Sequence, residues 1–123
     1  GCATKIPSNV QTIGAMAFRG METPATLIIP ENVKTIKRSA FVGCSGLKHL
    51  FVPGHTTIGT QAFACCKQLE SVIFGEGMKK IPPVAFAGCT NLKNVHIPET
   101  VKEIAGDAFA GCFGDDASFS GKQ

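Results

Sequence analysis

The chain has 123 residues, enough for one domain, and 44% of them are hydrophobic, which is ordinary for a globular protein. No apolar run approaches the length of about 18 residues that a membrane-spanning helix needs, and the net charge of +3 is too small to indicate a nucleic-acid-binding surface. The first residues, GCATKIP, lack an initial Met and a signal-peptide pattern. We therefore expect a processed chain or an excised piece of a longer one.

An Ala-Phe pair recurs every 22 or 23 residues along almost the whole chain, and an Ile always stands five residues before the Phe. The Phe residues are Phe18, Phe41, Phe63, Phe86 and Phe109, and the Ile residues are Ile13, Ile36, Ile58, Ile81 and Ile104. A fixed period of this length is typical of a solenoid. It divides the chain into repeats 1–23, 24–46, 47–68, 69–91 and 92–114, followed by a polar tail at 115–123.

The third to fifth repeats contain a phrase of the L-x-x-L-x-L type, such as LKHLFV at 47–52, and the second repeat keeps its last two apolar positions as Leu27 and Ile29. The alternating pattern predicts a short strand. Strands of successive repeats should pair in parallel, about 4.8 Å apart. A proline usually follows and ends the strand. The next segment, which contains Val10 and Ile13 in the first repeat, predicts a second, weaker extended piece.

The xxAFxGC phrase then predicts about one turn of helix, in which the small Ala lets the Phe reach the core. A Gly at positions 20, 43, 88 and 111 stands where a left-handed residue would end that turn. We expect the five Phe rings to stack into one spine and each repeat to be stable only against its neighbours. The third repeat is one residue shorter, because PGHTTI replaces PENVKTI, and the apolar position of Val33 has no clear occupant there.

The phrase IPxxVxxIxxxAFxGCxxLxxVxIP, over about residues 4 to 112, resembles the BspA-type leucine-rich repeat of bacterial surface proteins and some unicellular eukaryotes. The resemblance implies an α/β repeat fold: a right-handed leucine-rich repeat solenoid of about five turns, with one parallel β-sheet on the concave face and short helical turns opposite. It also implies a cell-surface or secreted, adhesin-like module that binds a protein ligand, commonly a host or matrix protein.

Three features depart from the family pattern: Pro24, the short third repeat and the lack of recognisable polar caps. Missing caps suggest a fragment of a longer array or ends that other subunits cover. A structural scaffold subunit of a larger intracellular assembly therefore stays open as an alternative.

Four of the six cysteines, Cys44, Cys66, Cys89 and Cys112, fall in one column and should form a ladder along the solenoid. Thiols strung over roughly 14 Å cannot surround one zinc ion, whose sulfur ligands lie about 2.3 Å away. The repeat spacing also exceeds the usual Cβ separation of a disulfide, about 3.8 Å. We interpret these thiols as buried fillers. Cys65 replaces the Gly of its column and should be more exposed, and the state of Cys2 is left open.

The three histidines do not form a recognisable reactive site. His49 and His96 point outward from the predicted sheet but lie two repeats and one column apart, and His55 lies in the irregular turn of the third repeat. No nucleophile-elbow, zinc-protease or phosphate-loop motif occurs. We expect no enzyme, no metal and no cofactor, while an unfamiliar active site around His49 and His96 remains the alternative.

The outward strand positions form two columns. One is small and polar (Ala3, Thr26, His49, Ser71, Asn94), and the other is apolar in its middle (Lys5, Ile28, Phe51, Ile73, His96). Nothing inside the fold requires apolar residues there, so we predict a contact surface. Its ligand-binding residues are Ile28, His49, Phe51, Ile73, Asn94 and His96. The alternative is that strands favour β-branched and aromatic residues regardless of function.

Two further patterns bear on the partner. The chain has no Tyr and no Trp, and carbohydrate sites depend on such rings, so a carbohydrate ligand is disfavoured.

Basic residues at 34, 37, 38, 79, 80 and 102 cluster around the second extended segment, interleaved with Glu at 31, 76, 99 and 103. This interleaving favours a solvated face over a surface for phosphate or an anionic membrane.

Overall fold

The computed structural model describes residues 9–112 and the strand at 118–121. These residues form about four turns of a parallel β-solenoid. The strands are β1 (Thr12–Ile13), β2 (Thr26–Ile28), β3 (Thr35–Ile36), β4 (His49–Val52), β5 (Thr57–Ile58), β6 (Ser71–Phe74), β7 (Lys80–Ile81), β8 (Asn94–Ile97), β9 (Glu103–Ile104) and β10 (Ser118–Gly121).

The longer strands form one parallel sheet in the order β10-β8-β6-β4-β2, here called the main sheet. Its register aligns equivalent positions of the repeats, for example Leu27 with Leu50, Leu50 with Val72, and Val72 with Val95. These side chains are all buried, and the residues between them point outward. The predicted pairing and the inward–outward alternation of the strands are therefore confirmed.

The two-residue strands pair along a second line, here called the second ladder. It consists of a sheet β1-β3-β5 and a separate pair β7-β9. The sequence predicted one sheet with an extended piece beside it, whereas this piece makes parallel strand pairs of its own. The interruption between β5 and β7 was not predicted.

The described residues contain about four turns, so the predicted five turns are not supported. The strand expected for the first repeat, with Ala3 and Lys5 on its outer face, falls in residues 1–8, outside the described residues, as does Cys2. At the other end, part of the polar tail forms β10, which pairs with β8 and extends the main sheet by one strand.

The prediction of short helical turns is also wrong, because no described residue lies in a helix. The Ala-Phe segments are successive turns, with bonds such as Ala17 N–H to Gly14 O at 3.1 Å. Other N–H groups are taken by the next repeat: Phe18 N–H donates to Ala40 O over 2.7 Å. A helix would need those donors for its own carbonyls. Each turn also contains a left-handed residue, such as Met16 with φ 60°, which an α-helix does not accommodate.

The predicted left-handed glycines are present, with φ of 71° at Gly20 and Gly43, 79° at Gly88 and 74° at Gly111. In the third repeat Cys65 takes the same conformation, with φ 61°. The backbone of this column is therefore set by the stacking of the repeats, even where the residue is not glycine.

The Phe rings form the predicted spine. Neighbouring rings from Phe18 to Phe109 are stacked, with centroids 5.0 to 5.5 Å apart and planes within 11°. Phe74 meets Phe86 edge-on at 5.8 Å. Stacked and edge-on pairs each add about 0.5–1.5 kcal/mol beyond burial. The spine therefore links the described repeats, and the contact of Phe86 with Phe74 joins it to strand β6 of the main sheet.

Candidate binding face

The outer face of the main sheet brings the predicted ligand-binding residues into two straight columns. In one, Ile28 lies beside Phe51, Phe51 beside Ile73, and Ile73 beside His96. Directly paired residues on one face of a parallel sheet lie about 4.8 Å apart. The four side chains of this column therefore form a continuous surface, here called the apolar column.

The two isoleucines of the apolar column are well exposed: 64% of Ile28 and 48% of Ile73 is accessible to solvent. Phe51 is less exposed than predicted and lies in the intermediate range. A Cβ added to Gly75 would stand 3.4 Å from Cζ of Phe51, so the ring lies close to that glycine. The prolines that follow β2, β4 and β8 are replaced by Gly75 after β6. This substitution was visible in the sequence, but its effect on the Phe51 ring was missed.

The other column is polar. His49 Nδ1 lies 2.8 Å from Ser71 Oγ, a hydrogen bond between neighbouring strands that fixes the imidazole on the surface. Asn94 follows Ser71 in register, and both Asn94 and His96 are exposed. Sequence reasoning placed Ser71 in the column but missed this bond, which their adjacent outward positions could have suggested.

The strand β10 changes the setting of Asn94 and His96. Residues 118 and 120 pair with Asn94 and His96, so β8 is an internal strand of the main sheet. The period-two Ser-Phe-Ser pattern at 118–120 was the available sequence signal. The six predicted residues thus share one face, with Ile28 near one edge and His96 next to the added strand.

His49 and His96 are not brought together. The columns place β6 between their strands, so about 10 Å separates them along the sheet. Among residues 9–112 no group of three His, Cys, Asp or Glu side chains is arranged to hold a metal ion. His55 lies in the turn after β4, off the main sheet. Its Nε2 bonds the carbonyl oxygen of Glu31, and its Nδ1 lies 3.8 Å from the Glu31 carboxylate.

The cysteine ladder is present and lies inside the solenoid. Each thiol donates to the carbonyl oxygen of a Phe in the preceding repeat, as Cys66 does to Phe41 over 3.2 Å. The other pairs are Cys44 with Phe18 (3.0 Å), Cys89 with Phe63 (3.2 Å) and Cys112 with Phe86 (2.8 Å). All four thiols, and exposed Cys65, are free.

The environment of the ladder raises the pKa of three of its thiols, those of Cys44, Cys89 and Cys112. Burial raises the pKa of Cys44 from 9.0 to about 11. A hydrogen bond with Cys112 lowers the pKa of Cys89, but the bond with Cys66 and burial outweigh it and raise that pKa to about 12. The bond with Cys89, followed by burial, raises the pKa of Cys112 as well. The thiolate is the reactive form, so these cysteines pack rather than react at neutral pH.

The chain matches the sequence model of the BspA type leucine-rich repeat region, in six copies over residues 3–114. The chain belongs to the BspA-type leucine-rich repeat family. Six copies exceed the five repeats delimited by the Ala-Phe period. No curated protein sequence matches the chain.

Solved structures of bacterial leucine-rich repeat proteins share the fold. A leucine-rich cell surface protein from Faecalibacterium prausnitzii is 38% identical over 72% of this chain and 24% of that protein, with a TM-score of 0.67. A leucine-rich repeat protein from Eubacterium ventriosum is 23% identical, over 82% and 32%, with a TM-score of 0.70. The pneumococcal vaccine antigen PcpA is 18% identical, over 97% and 39%, with a TM-score of 0.67.

This BspA-type chain therefore spans between about a quarter and two fifths of the length of these three proteins. The likenesses below 25% identity support the fold alone. The described ranges, 9–112 and 118–121, contain no helix that could span a bilayer.

Proposed function

We propose that this BspA-type repeat segment is a non-catalytic protein-interaction module that binds a protein ligand through the outer face of its main sheet. The observation that carries the proposal is the exposure of Ile28 and Ile73 in one column with Phe51 between them. Inward residues already fill the core on the other face of these strands, so the fold does not require apolar side chains here. Adjacent exposed apolar side chains mark contact surfaces.

The surroundings of the apolar column fit a protein partner. The exposed His96 ends the column, and the His49–Ser71 pair and exposed Asn94 form a polar column next to it. Protein interfaces combine an apolar centre with a polar rim in this way. Exposed Lys48 and Lys93 and partly buried Glu70, just before the strands, give the rim mixed charge. Such a rim suits a partner without a strong net charge.

The cell surface, or the extracellular space, is the proposed location. The support is the 38% identity to a protein described as a leucine-rich cell surface protein, together with the family membership. We further propose an adhesin-like role at that location, with a host or matrix protein as the ligand.

Binding of the purified chain to immobilised, purified extracellular-matrix proteins, measured by biolayer interferometry, tests this function. We compare the wild type with an Ile28→Thr, Ile73→Thr double variant, because Thr keeps the β-branched shape that strands favour and removes apolar surface. We expect at least a tenfold loss of affinity, about 1.4 kcal/mol, with an unchanged midpoint of unfolding. Undiminished binding by this variant would show that these residues serve only strand formation.

A matched control is Met21→Thr, which also removes an exposed apolar side chain (37% accessible) but lies off the main sheet. It should leave binding unchanged. Loss of binding in this control alone would move the interface away from the apolar column.

The alternative proposal, a structural subunit of a larger assembly, has one observation in its favour. Met16 and Met21 are 47% and 37% accessible, and they flank the partly exposed Phe18 in the first described repeat. These three side chains offer apolar surface at one end of the described stack. If Met16→Asp prevents the chain from entering a complex with fixed stoichiometry, while the Ile28→Thr, Ile73→Thr variant still assembles, the scaffold function is favoured.

A further inference from the structure

In the regular repeats, two consecutive N–H groups of the second ladder converge on one carbonyl oxygen of the preceding repeat. The nitrogens of Lys34 and Thr35 lie 2.7 and 3.2 Å from Gln11 O. Those of Lys102 and Glu103 lie 2.9 and 3.4 Å from a single oxygen in the same way. In these two repeats the fold thus presents a pair of donors aimed at one oxygen atom.

In the fourth repeat the equivalent donors are the N–H groups of Lys79 and Lys80. Because the third repeat is one residue shorter, none of its carbonyl groups accepts a hydrogen bond from them. Thr56 takes the buried position that Val33 holds in the second repeat: it is 2% exposed, and its hydroxyl donates to Val33 O over 2.8 Å. Its N–H bonds Pro53 O at 3.2 Å, closing the turn. The carbonyl of Thr56 accepts a bond from neither Lys79 nor Lys80.

A proline prevents the next bond of the same ladder. In three repeats the residue after the recurring Ile donates its N–H to the carbonyl oxygen of the Ile in the preceding repeat. The donors are Lys37, Gly59 and Ala105, at 2.9, 2.7 and 3.0 Å. The fourth repeat has Pro82 at this position, which lacks an N–H. The carbonyl of Ile58 therefore receives no such bond, and β5 and β7 do not pair with each other.

The result is a cleft of about 390 Å³ between the third and fourth repeats on the second ladder. It cannot simply close, because the main-sheet strands β4 and β6 are paired and the turns already touch near Gly54, where an added Cβ would stand 1.8 Å from Glu76 O. Both lysine side chains are exposed. The lining includes His55, Thr56, Thr57, Met78, Lys79 and Lys80.

We propose that this cleft binds an oxyanion, a carboxylate or phosphate group, one oxygen of which accepts the N–H groups of Lys79 and Lys80. Adjacent backbone N–H groups that point at one position form anion-binding concavities, and hydrogen bonds to a charged acceptor are stronger than neutral ones. The two ammonium groups supply the balancing positive charge. In the described residues neither lysine has a carboxylate within ion-pair distance, whereas Glu31 is paired with His55. The site is separate from the main-sheet face.

Titration of the ¹⁵N-labelled chain with sodium acetate, and separately with sodium phosphate, tests the proposal by amide NMR at constant ionic strength set with chloride. We expect the Lys79 and Lys80 amide resonances to move downfield and saturate. Saturation with acetate alone identifies a carboxylate site, and saturation with phosphate alone identifies a phosphate site. The Lys34 and Lys102 amides, already bonded to protein carbonyls, should not move. Shifts that do not saturate, or that spread evenly over the exposed lysines, overturn the proposal.

The decisive test is a variant in which the hydrogen bonds of the second ladder are restored between β5 and β7. Inserting one Lys between Thr56 and Thr57, together with Pro82→Ala, returns the repeat to its regular length and supplies the missing N–H. The new carbonyl should occupy the position of the anion and weaken its binding at least tenfold, about 1.4 kcal/mol. Anion binding at wild-type affinity by the folded variant contradicts the proposal.

The second variant keeps the proposal testable even if the insertion prevents folding. Lys79→Gln with Lys80→Gln changes only exposed side chains and should also weaken binding, while Lys102→Gln, at the equivalent position of the next repeat, should not. Equal affinity in the double variant and in Lys102→Gln would refute the assignment.

Discussion

Removing one ring from the middle of the Phe spine should cost far more stability than removing one at its end. Phe63 is 0% exposed, and its ring stacks on Phe41 at 5.0 Å and on Phe86 at 5.3 Å. Phe18 is partly exposed and has one stacked partner among the described rings, Phe41 at 5.0 Å. The two positions thus share a column and differ in burial and in the number of stacked neighbours.

The expected magnitudes follow from these contacts. Truncation of a buried Phe to Ala costs about 3–5 kcal/mol, and Phe63→Ala should lie near the upper end because it removes two stacked pairs of about 0.5–1.5 kcal/mol each. Phe18→Ala removes one pair and less buried area, so about 1–2 kcal/mol is expected. Phe63→Leu keeps most of the apolar volume and should fall between the two.

Urea unfolding followed by circular dichroism measures these differences. A slope of about 1–3 kcal/mol per molar urea is typical of small proteins, so the two Ala variants should differ in midpoint by about 1 M or more. The reasoning fails if Phe63→Ala and Phe18→Ala lose the same free energy of unfolding. It also fails if Phe63→Leu is as costly as Phe63→Ala, since volume would then contribute nothing.

The remaining predictions concern the thiols and the glycines. Cys65 should react with a disulfide reagent in the native chain, whereas the buried Cys44 and Cys89 should react only on unfolding; fast modification of all three without urea would contradict the ladder. Because their folded pKa values, about 11 and about 12, lie above the ordinary 9.0, both thiols stabilise the fold fully below pH 9. That contribution should decline as the pH rises from 9 toward 12, and less steeply in a Cys89→Ala variant. Gly54→Ala should lower the free energy of unfolding by about 3 kcal/mol, because the added Cβ would stand 1.8 Å from Glu76 O. Gly14→Ala, whose Cβ would meet nothing within 4 Å, should raise it by about 0.4–1 kcal/mol. Equal unfolding temperatures of the two variants in calorimetry would refute this contrast.

The sequence was sufficient for every feature that depends only on the repeat period. A column position in a solenoid has the same environment in each turn, so the stacked Phe rings, the thiol ladder and the paired strands all follow from the spacing. The conformation of the Ala-Phe segments could not be predicted this way, and the helical turn expected there was wrong. Whether Phe18 N–H bonds within its own turn or to Ala40 O depends on the neighbouring repeat, which local propensity does not include.

The structural effect of the irregular positions also depends on neighbouring repeats, and so it could not be predicted from the repeat period. The short third repeat was recognised in the sequence, but its consequence depends on where the lost residue falls relative to the ladder. Only the structure shows Thr56 in the buried position, bonded to Val33 O. Pro82 aligns with Lys37, Gly59 and Ala105 in the repeat register, so the lost N–H was in principle readable. The half-buried state of Phe51 likewise depends on Gly75 in the following repeat.

The main sheet and the second ladder therefore differ in which sequence changes they can accept without losing backbone hydrogen bonds. This difference also distinguishes the two proposed sites. The main sheet is continuous from β2 to β10, so outward residues such as Ile28 and Ile73 can change without loss of a backbone hydrogen bond, and specificity can reside in side chains alone. The second ladder is broken between β5 and β7, where the unmatched groups belong to the backbone. A site there depends on repeat length and on Pro82 more than on any exposed side chain. Substitutions on the main-sheet face should thus alter protein binding without affecting the oxyanion cleft, and restoration of the ladder should do the reverse.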